Sequence, residues 1–323
     1  MKQHRQLFGF LSALGMAVLI LDGKTALSGA AEGIDLCIRT VIPALFPFFV
    51  LSSALLRSAV SFHSLETAAI TLYGLPRGTG CLVLPCFLGG YPVGAKSVHQ
   101  LYAEGLLRRS EAERLLAFCN NAGPAFVFGV ISQSFPKIWM PWALWGIHLA
   151  GAWIASRFVP CTQTAVSRDR QSEQPKGSIL SGVVITMGVV CGWIILFRIL
   201  IAFLDKWFLW LLPQTVRVAL VGILELSNGC CELANVSNIN SRFLLCSGML
   251  AVGGLCVTAQ TISVTQGLSL RSYCLGKLIQ TFVSLLLSYC LMYRTGLPLL
   301  FLLPVFIYGN RKKRGRNRIP SGV

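Results

Sequence analysis

The sequence predicts an all-α, polytopic helical membrane protein of about eight spans, with some helices broken or re-entrant. Three observations predict this class. Hydrophobic residues make up 54% of the 323 residues and charged residues only 12%, which is about half the share in an average soluble domain. The apolar residues form long runs and do not alternate with period two, so helices are favoured over a barrel. Glycine and proline interrupt several runs, which predicts helix breaks at membrane depth.

The apolar runs divide the chain into two membrane halves. In the first half, 1–160, the runs are 7–22, 35–58, 79–103, 111–132 and 138–159. The hydrophilic stretch 161–177 is a predicted linker, because it has no apolar period and mixes charge with Gln, Ser, Thr and Pro. In the second half, 178–310, the runs are 178–204, 207–233, 242–266, 272–293 and a short one at 297–309. For four of these runs both a full crossing and a re-entrant path stay open: 79–103, 111–132, 207–233 and 242–266.

The excess of positive charge indicates orientation in a membrane. The chain carries 28 Lys and Arg against 12 Asp and Glu, a net charge of +16. Six basic residues lie in the tail 311–323, directly after an apolar run, and Lys2 and Arg5 lie at the N-terminus. By the positive-inside rule we expect both termini in the cytoplasm and an even number of crossings. The expected partners are the lipid bilayer and a small molecule, with no nucleic acid.

The motifs of hydrolases, nucleotide-binding enzymes and metalloenzymes are not found in a suitable context, so we expect no enzymatic activity and no cofactor. G-x-S-x-G, the P-loop and H-E-x-x-H are absent. The twelve cysteines include no C-x-x-C pair, and with the four histidines they show no zinc-ligand spacing. No bound metal is therefore expected, and if the chain moves a solute, H⁺ or Na⁺ is the expected coupling ion.

Interrupted helices at corresponding positions of the two halves predict a pseudo-repeat. The predicted backbone breaks are Gly90, Gly94, Gly123 and Pro124 in the first half, and Gly229, Gly253 and Gly254 in the second. Paired breaks of this kind are typical of secondary transporters. Broken helices leave N–H and C=O groups free at membrane depth, where they are tolerated in a cavity wall or inside the protein.

Two ionisable residues are candidates for substrate binding. Glu225 lies well inside an apolar run, where a carboxylate is costly and indicates binding of a cation, a proton or the substrate. Its alternative role is structural, accepting hydrogen bonds from the free N–H groups of a broken helix. Lys96 follows the first glycine-rich break, where its ammonium would bind an anion or pair with Glu225. The alternative for Lys96 is that it snorkels to the membrane interface.

Uncharged polar residues at the breaks complete the predicted substrate-binding set. They are Tyr91, Asn120, Asn121, Ser227, Asn228 and Gln260. Such groups in apolar helices either hydrogen-bond helices together or line a substrate path. For Asn120 and Asn121 we favour the path, because they immediately precede the break at Gly123 and Pro124.

Several stretches of the chain resemble the YlbJ family of sporulation integral membrane proteins. In the first half they are PALFPFF at 43–49, GGYPVGAK at 89–96 and FCNNAGPAF at 118–126. In the second half, GILELSNG at 222–229 and the stretch 253–260 look like the second Gate-type element of that family. The family carries the Gate, or nucleoside-recognition, domain shared distantly with concentrative nucleoside transporters. The resemblance covers most of the chain and implies two Gate-like elements.

The resemblance also implies a function in spore-forming bacteria. It implies a multi-pass protein of the bacterial cell membrane, in particular the membrane around the forespore, that moves dipicolinic acid. Dipicolinate is a small aromatic dianion, so Lys96 and the N–H groups of broken helices would bind it.

Two alternatives to dipicolinate transport stay open. One is a nucleoside or nucleobase transporter, and the other is a non-transporting protein needed for maturation of the spore envelope. A positively charged cavity would favour the dianion and a neutral cavity a nucleoside. Polar groups packed dry against one another would favour the envelope role.

Overall fold

The computed structural model describes residues 2–57, 63–76, 79–159 and 178–295, and these ranges contain helices and no strand. The predicted all-α class is confirmed. The first half contains α1 (Lys2–Leu21), α2 (Gly23–Leu36), α3 (Ile42–Arg57), α4 (His63–Tyr73), α5 (Val83–Leu88), α6 (Val93–Ala103), α7 (Arg109–Cys119), α8 (Pro124–Gly129) and α9 (Trp139–Phe158). The second contains α10 (Ile179–Trp207), α11 (Gln214–Leu224), α12 (Leu226–Glu232), α13 (Ile239–Val252), α14 (Gly254–Val264) and α15 (Arg271–Tyr293). The predicted linker 161–177, the run 297–309 and the tail 311–323 lie outside the described residues.

Four helical stretches of the described chain are long and apolar enough to cross a bilayer. They are Gly23–Leu55, Ile179–Trp207, Ile239–Val264 and Arg271–Tyr293. Two further apolar helices are shorter, Ser12–Leu21 and Gln214–Leu224. With six residues each, α5 and α8 are too short to span alone. The chain is therefore a polytopic membrane protein that combines spanning helices with broken ones.

Helices α2 and α10 pack closely because α2 presents two glycines at helical spacing. A Cβ on Gly29 would lie 2.9 Å from Ile199 Cα, and one on Gly33 would lie 2.9 Å from Ile195 Cα. Small residues four apart allow two helix backbones to approach, which is a common packing mode in membranes. This pair joins the first half to the second.

Helix α15 joins the second half to the interior of the first, since it packs against α7, α9 and α13. Where it crosses α7, a Cβ on Gly276 would lie 2.1 Å from Ala117 O. Where it crosses α13, Ser288 Oγ donates to Ser247 Oγ at 2.7 Å and Ser247 Oγ donates to Ser284 O at 3.2 Å. These polar contacts replace the hydrophobic driving force that helices lack inside a bilayer.

The predicted broken helices are present, with two corrections to where they break. The breaks between α5 and α6, α7 and α8, and α13 and α14 lie at Gly90, Gly123 and Gly253, as predicted, and Pro124 is the first residue of α8. The prediction was wrong for Gly94, which lies inside α6, and for Gly229, which lies inside α12. The break that was predicted at Gly229 lies instead at Glu225, between α11 and α12, because the Glu225 side chain can cap the helix that follows.

Candidate functional site

A cavity of about 40 Å³ lies where the breaks of the two halves meet. Its wall includes Tyr91 and Gly123 from the first half, and Glu225, Ser227 and Gln260 from the second. A volume of this size holds about three water molecules. The structure therefore brings both predicted Gate-like elements to one small, partly polar cavity.

Glycines allow the broken segments to approach backbone to backbone around this cavity. A Cβ on Gly123 would lie 2.9 Å from Gly90 N, and a Cβ on Gly94 would lie 1.8 Å from Cys119 O. In the second half a Cβ on Gly229 would lie 2.3 Å from Gly222 Cα. At these three glycines the neighbouring backbone leaves no room for a side chain.

The break between α13 and α14 combines positive backbone dihedrals with a tight contact. Gly253 and Gly254 have φ of +73° and +81°, a conformation that L side chains rarely adopt. A Cβ on Gly254 would lie 2.9 Å from Ile223 O, and one on Gly253 would lie 3.4 Å from Tyr91 Cζ. Glycine is therefore required at both positions, and the contact with Tyr91 connects this break to the cavity.

Glu225 is buried in the cavity wall and caps α12. Its Oε1 accepts from Ser227 N at 3.0 Å, and its Oε2 accepts from Asn228 N and from Asn228 Nδ2, both at 2.7 Å. The carboxylate thus satisfies the free N–H groups at the start of a helix, where the helix dipole also favours a negative charge. The structural role is present, and the same side chain borders the cavity.

Lys277 is the buried cation of this region, and the sequence analysis missed it. It lies on α15 with 4% of its surface exposed. Its ammonium donates to Tyr91 OH at 2.9 Å, Asn120 O at 2.7 Å and Gln280 Oε1 at 3.0 Å. It therefore ties α15 to the breaks that follow α5 and α7. Lys277 is an ionisable residue within the apolar run 272–293, so the criterion applied to Glu225 would have identified it.

Asn121 belongs to a second part of the same network. Gln280 Nε2 donates to Asn121 Oδ1 at 3.0 Å and to His148 O at 3.0 Å, while Asn121 Nδ2 donates to Phe118 O at 2.7 Å. His148 Nε2 accepts from Ala122 N at 3.0 Å, so a neutral ring carries its proton on Nδ1. The amide of Asn121 is fully engaged with protein groups and does not line the cavity.

Asn120 contributes to the network through its backbone and its side chain. Its carbonyl caps α7 by accepting from Lys277, and its Nδ2 donates to Thr261 Oγ1 of α14 at 2.9 Å. The fully buried Asn120 therefore hydrogen-bonds the two halves together at the cavity's edge. Among the predicted binding residues, Tyr91, Glu225, Ser227 and Gln260 line the cavity, whereas Asn120, Asn121 and Asn228 support it from behind.

The structure does not bring Lys96 to this cavity or pair it with Glu225. Its ammonium donates to Gly182 O at 3.1 Å and to Thr186 Oγ1, both on α10. It borders a smaller pocket of about 10 Å³ with Ser52, Ser53 and Gln100. Because α10 carries the two acceptors, Lys96 holds α6 to that helix, and the ammonium nearest to the cavity is that of Lys277, which is hydrogen-bonded to Tyr91.

No group of three or more His, Cys, Asp and Glu side chains is arranged to hold a metal ion within the ranges that the structure describes. Near the cavity the charged groups are the Glu225 carboxylate in the wall and the Lys277 ammonium behind Tyr91. One charge of each sign is available, and the two are held by different partners.

Comparison with known proteins supports the resemblance noted in the sequence. The chain is 31% identical over 122 residues to the sporulation integral membrane protein YlbJ of Bacillus subtilis (strain 168). The match covers 37% of this chain and 30% of that relative, so it spans less than a third of the relative's length. No protein-family model and no solved structure matches the chain. The similarity supports a sporulation-related integral membrane protein.

Proposed function

We propose that this chain is a secondary transporter of a small anionic metabolite during sporulation, and that dipicolinic acid is its substrate. The observation that carries the proposal is the cavity at which broken helices from both halves meet. Discontinuous helices around a central site are the usual construction of secondary transporters. In this proposal the protein lies in the membrane around the forespore, with both termini in the cytoplasm, and H⁺ or Na⁺ is the coupling ion.

The proposal requires the cavity to enlarge when substrate binds. A space for about three waters is too small for an aromatic dicarboxylate, so the breaks have to separate for substrate to enter. The breaks are joined by close glycine contacts and by single hydrogen bonds, as at Tyr91 and Asn120, and such bonds are individually modest in membranes. An opening movement would have to separate both kinds of contact.

A nucleoside is the second candidate substrate, and the cavity wall favours it. Glu225, Gln260 and Tyr91 border the cavity, and the buried ammonium nearest to it is hydrogen-bonded to the Tyr91 hydroxyl. A wall with a carboxylate, an amide and a phenol ring suits a neutral ligand that donates hydrogen bonds.

The third role, in maturation of the spore envelope, is favoured by the dry packing around Asn121 and Gln280.

The test is uptake of labelled substrates into proteoliposomes that contain the full chain. We expect dipicolinate to accumulate and uptake to fall at least about tenfold in Glu225→Gln, because the variant loses the charge that holds the start of α12. Glu104→Gln is the matched control, since Glu104 accepts from Gln100 at the end of α6.

Two other outcomes of the uptake experiment would favour the nucleoside transporter or the envelope role. Uptake of uridine without dipicolinate would move the chain to the nucleoside transporters. If neither substrate accumulates with any of the imposed H⁺ or Na⁺ gradients, the transport proposal is overturned in favour of the envelope role.

A further inference from the structure

The Lys277 ammonium is buried without an acidic neighbour. Within the described part of the chain no carboxylate oxygen lies within 4 Å of it. Its three hydrogen bonds go to a phenol, a backbone carbonyl and an amide, all of them neutral acceptors. Rings of Tyr91 and Tyr273 lie 4.8 Å and 5.9 Å from the ammonium and supply only cation–π attraction. Most buried lysines are paired with an acid, and within the described residues this one has only neutral acceptors.

Tyr91 is the side chain between this charge and the cavity. Its hydroxyl accepts from Lys277 and donates to Leu250 O at 2.9 Å, while its ring forms part of the cavity wall. Of the three residues that accept from the ammonium, Tyr91 is the one that lines the cavity. A movement of the phenol would present one ammonium N–H to a ligand, with the other two still held by Asn120 O and Gln280 Oε1.

Glu225, a second buried ionisable residue near the cavity, is already hydrogen-bonded at the start of α12. The Glu225 carboxylate accepts from the backbone N–H groups of Ser227 and Asn228 and from the Asn228 side-chain amide, so both of its oxygens are already hydrogen-bonded. A carboxylate ligand would therefore meet a carboxylate whose oxygens are engaged in the cavity wall, and the nearest ammonium, hydrogen-bonded to Tyr91, has no acidic partner.

We propose that Lys277 is the anion-recognising residue of this site, and that a carboxylate of the substrate replaces the Tyr91 hydroxyl as its third acceptor. The inference rests on the proposed transport function and deepens it by naming the charge that selects the substrate class. A hydrogen bond between an ammonium and a carboxylate is shorter and stronger than one to a neutral phenol. The exchange therefore favours a carboxylate over a neutral ligand of the same shape.

The test measures binding and transport separately, using two ligands of the same shape. Pyridine-2,6-dicarboxylate and pyridine-2,6-dicarboxamide differ in charge, and their affinities for the purified full chain are measured by equilibrium dialysis. We expect wild type to prefer the dicarboxylate, and Lys277→Met to reduce that preference by about tenfold or more. Lys277→Arg keeps the charge and should keep the preference. Lys137→Met, which removes an exposed lysine, is the matched control.

A second variant keeps the inference testable if Lys277→Met does not fold. Tyr91→Phe leaves the ring in the cavity wall and removes the hydroxyl that competes for the ammonium. We expect it to raise the dicarboxylate preference, since one N–H is then free to bind the ligand. A fall in preference in Tyr91→Phe would overturn the inference, and so would an unchanged preference in folded Lys277→Met.

The inference and the transport function fail in different ways. If wild type does not bind the dicarboxylate more tightly than the dicarboxamide, the inference is wrong whatever the chain transports. If wild type binds the dicarboxylate preferentially but proteoliposomes do not accumulate it, the transport function fails and the recognition role of Lys277 stands.

Discussion

At the scale of single residues, the two buried charges are stabilised by different kinds of partner. Glu225 is bonded to residues two and three positions away, so its environment is local. Lys277 is bonded to Asn120 and Tyr91, which lie 157 and 186 residues away. A local environment is visible in the sequence around Glu225, whereas that of Lys277 exists only after α15 has packed on the first half.

Gln280 is the residue whose loss should cost most in this network. In Gln280→Leu, Lys277 loses an acceptor and Asn121 Oδ1 loses its donor, so two buried polar groups are left unsatisfied. We expect a loss of about 2–6 kcal/mol in the free energy of unfolding, since each such group costs roughly 1–3 kcal/mol.

The measurement is reversible unfolding of the detergent-solubilised protein. Gln214→Leu is the control, because Gln214 is exposed at the start of α11, and it should change the free energy by less than about 0.5 kcal/mol. Equal losses in the two variants would show that the network contributes nothing particular to stability.

At the scale of the elements, the short helix α12 is held at both of its ends. Glu225 caps the start of α12, and Glu232 at its end pairs with Arg217, at 2.5 Å from Nη1. Arg217 also pairs with Asp205 of α10 at 3.0 Å. A helix of seven residues has little stability of its own, so these contacts and the glycine packing at Gly229 determine its position.

The contact between α6 and the end of α7 requires a glycine. In Gly94→Ala the new Cβ would lie 1.8 Å from Cys119 O, which is backbone and cannot rotate away. We expect a loss of about 3 kcal/mol or more in stability, together with a poor yield of folded protein.

Gly188→Ala on α10 is the matched control for this glycine. Nothing lies within 4 Å of the added methyl group, so we expect a change within about 1 kcal/mol. The comparison uses thermal unfolding and the monodisperse fraction in size-exclusion chromatography. A Gly94→Ala protein as stable as Gly188→Ala would contradict the close approach of α6 and α7.

The helix breaks could be predicted from the sequence to within a few residues, but the helix pairing could not. Gly90, Gly123 and Gly253 interrupt apolar runs, and a local signal of that kind is readable without the fold. Lys96 was placed at the cavity because it follows a break, yet the direction of its side chain depends on α10. Which helix lies beside a break is determined by packing between distant segments, and no local pattern records it.

At the scale of the whole molecule, the two membrane halves are interlocked. Helix α2 of the first half packs on α10, and α15 of the second half packs on α7 and α9. The large apolar side chains of α10 that remain exposed, such as Leu180, Ile185 and Leu196, suit contact with lipid tails. The predicted halves therefore form one structure and are not independent domains.

This interlocking predicts that the halves stay together without a covalent connection. A protease site inserted within 161–177 would be cut in mild detergent, and the two fragments should co-elute in size-exclusion chromatography. The contacts of α15 with α7 and α9 hold them together, and sodium dodecyl sulfate, which unfolds those helices, serves as the control that separates them. Fragments that separate in mild detergent would show that the halves pack as independent units.

The position of α15 also has a consequence for how the protein is made. Asn121 is synthesised 159 residues before Gln280, the residue that satisfies its side-chain oxygen. At ordinary rates of translation this interval is about ten to thirty seconds. During that time the nascent first half lacks the partners that α15 supplies to the Asn121 oxygen and to the carbonyl end of α7. A ribosome that stalls before α15 therefore leaves these two polar groups unsatisfied within the membrane half already made, a defect that membrane quality control can recognise.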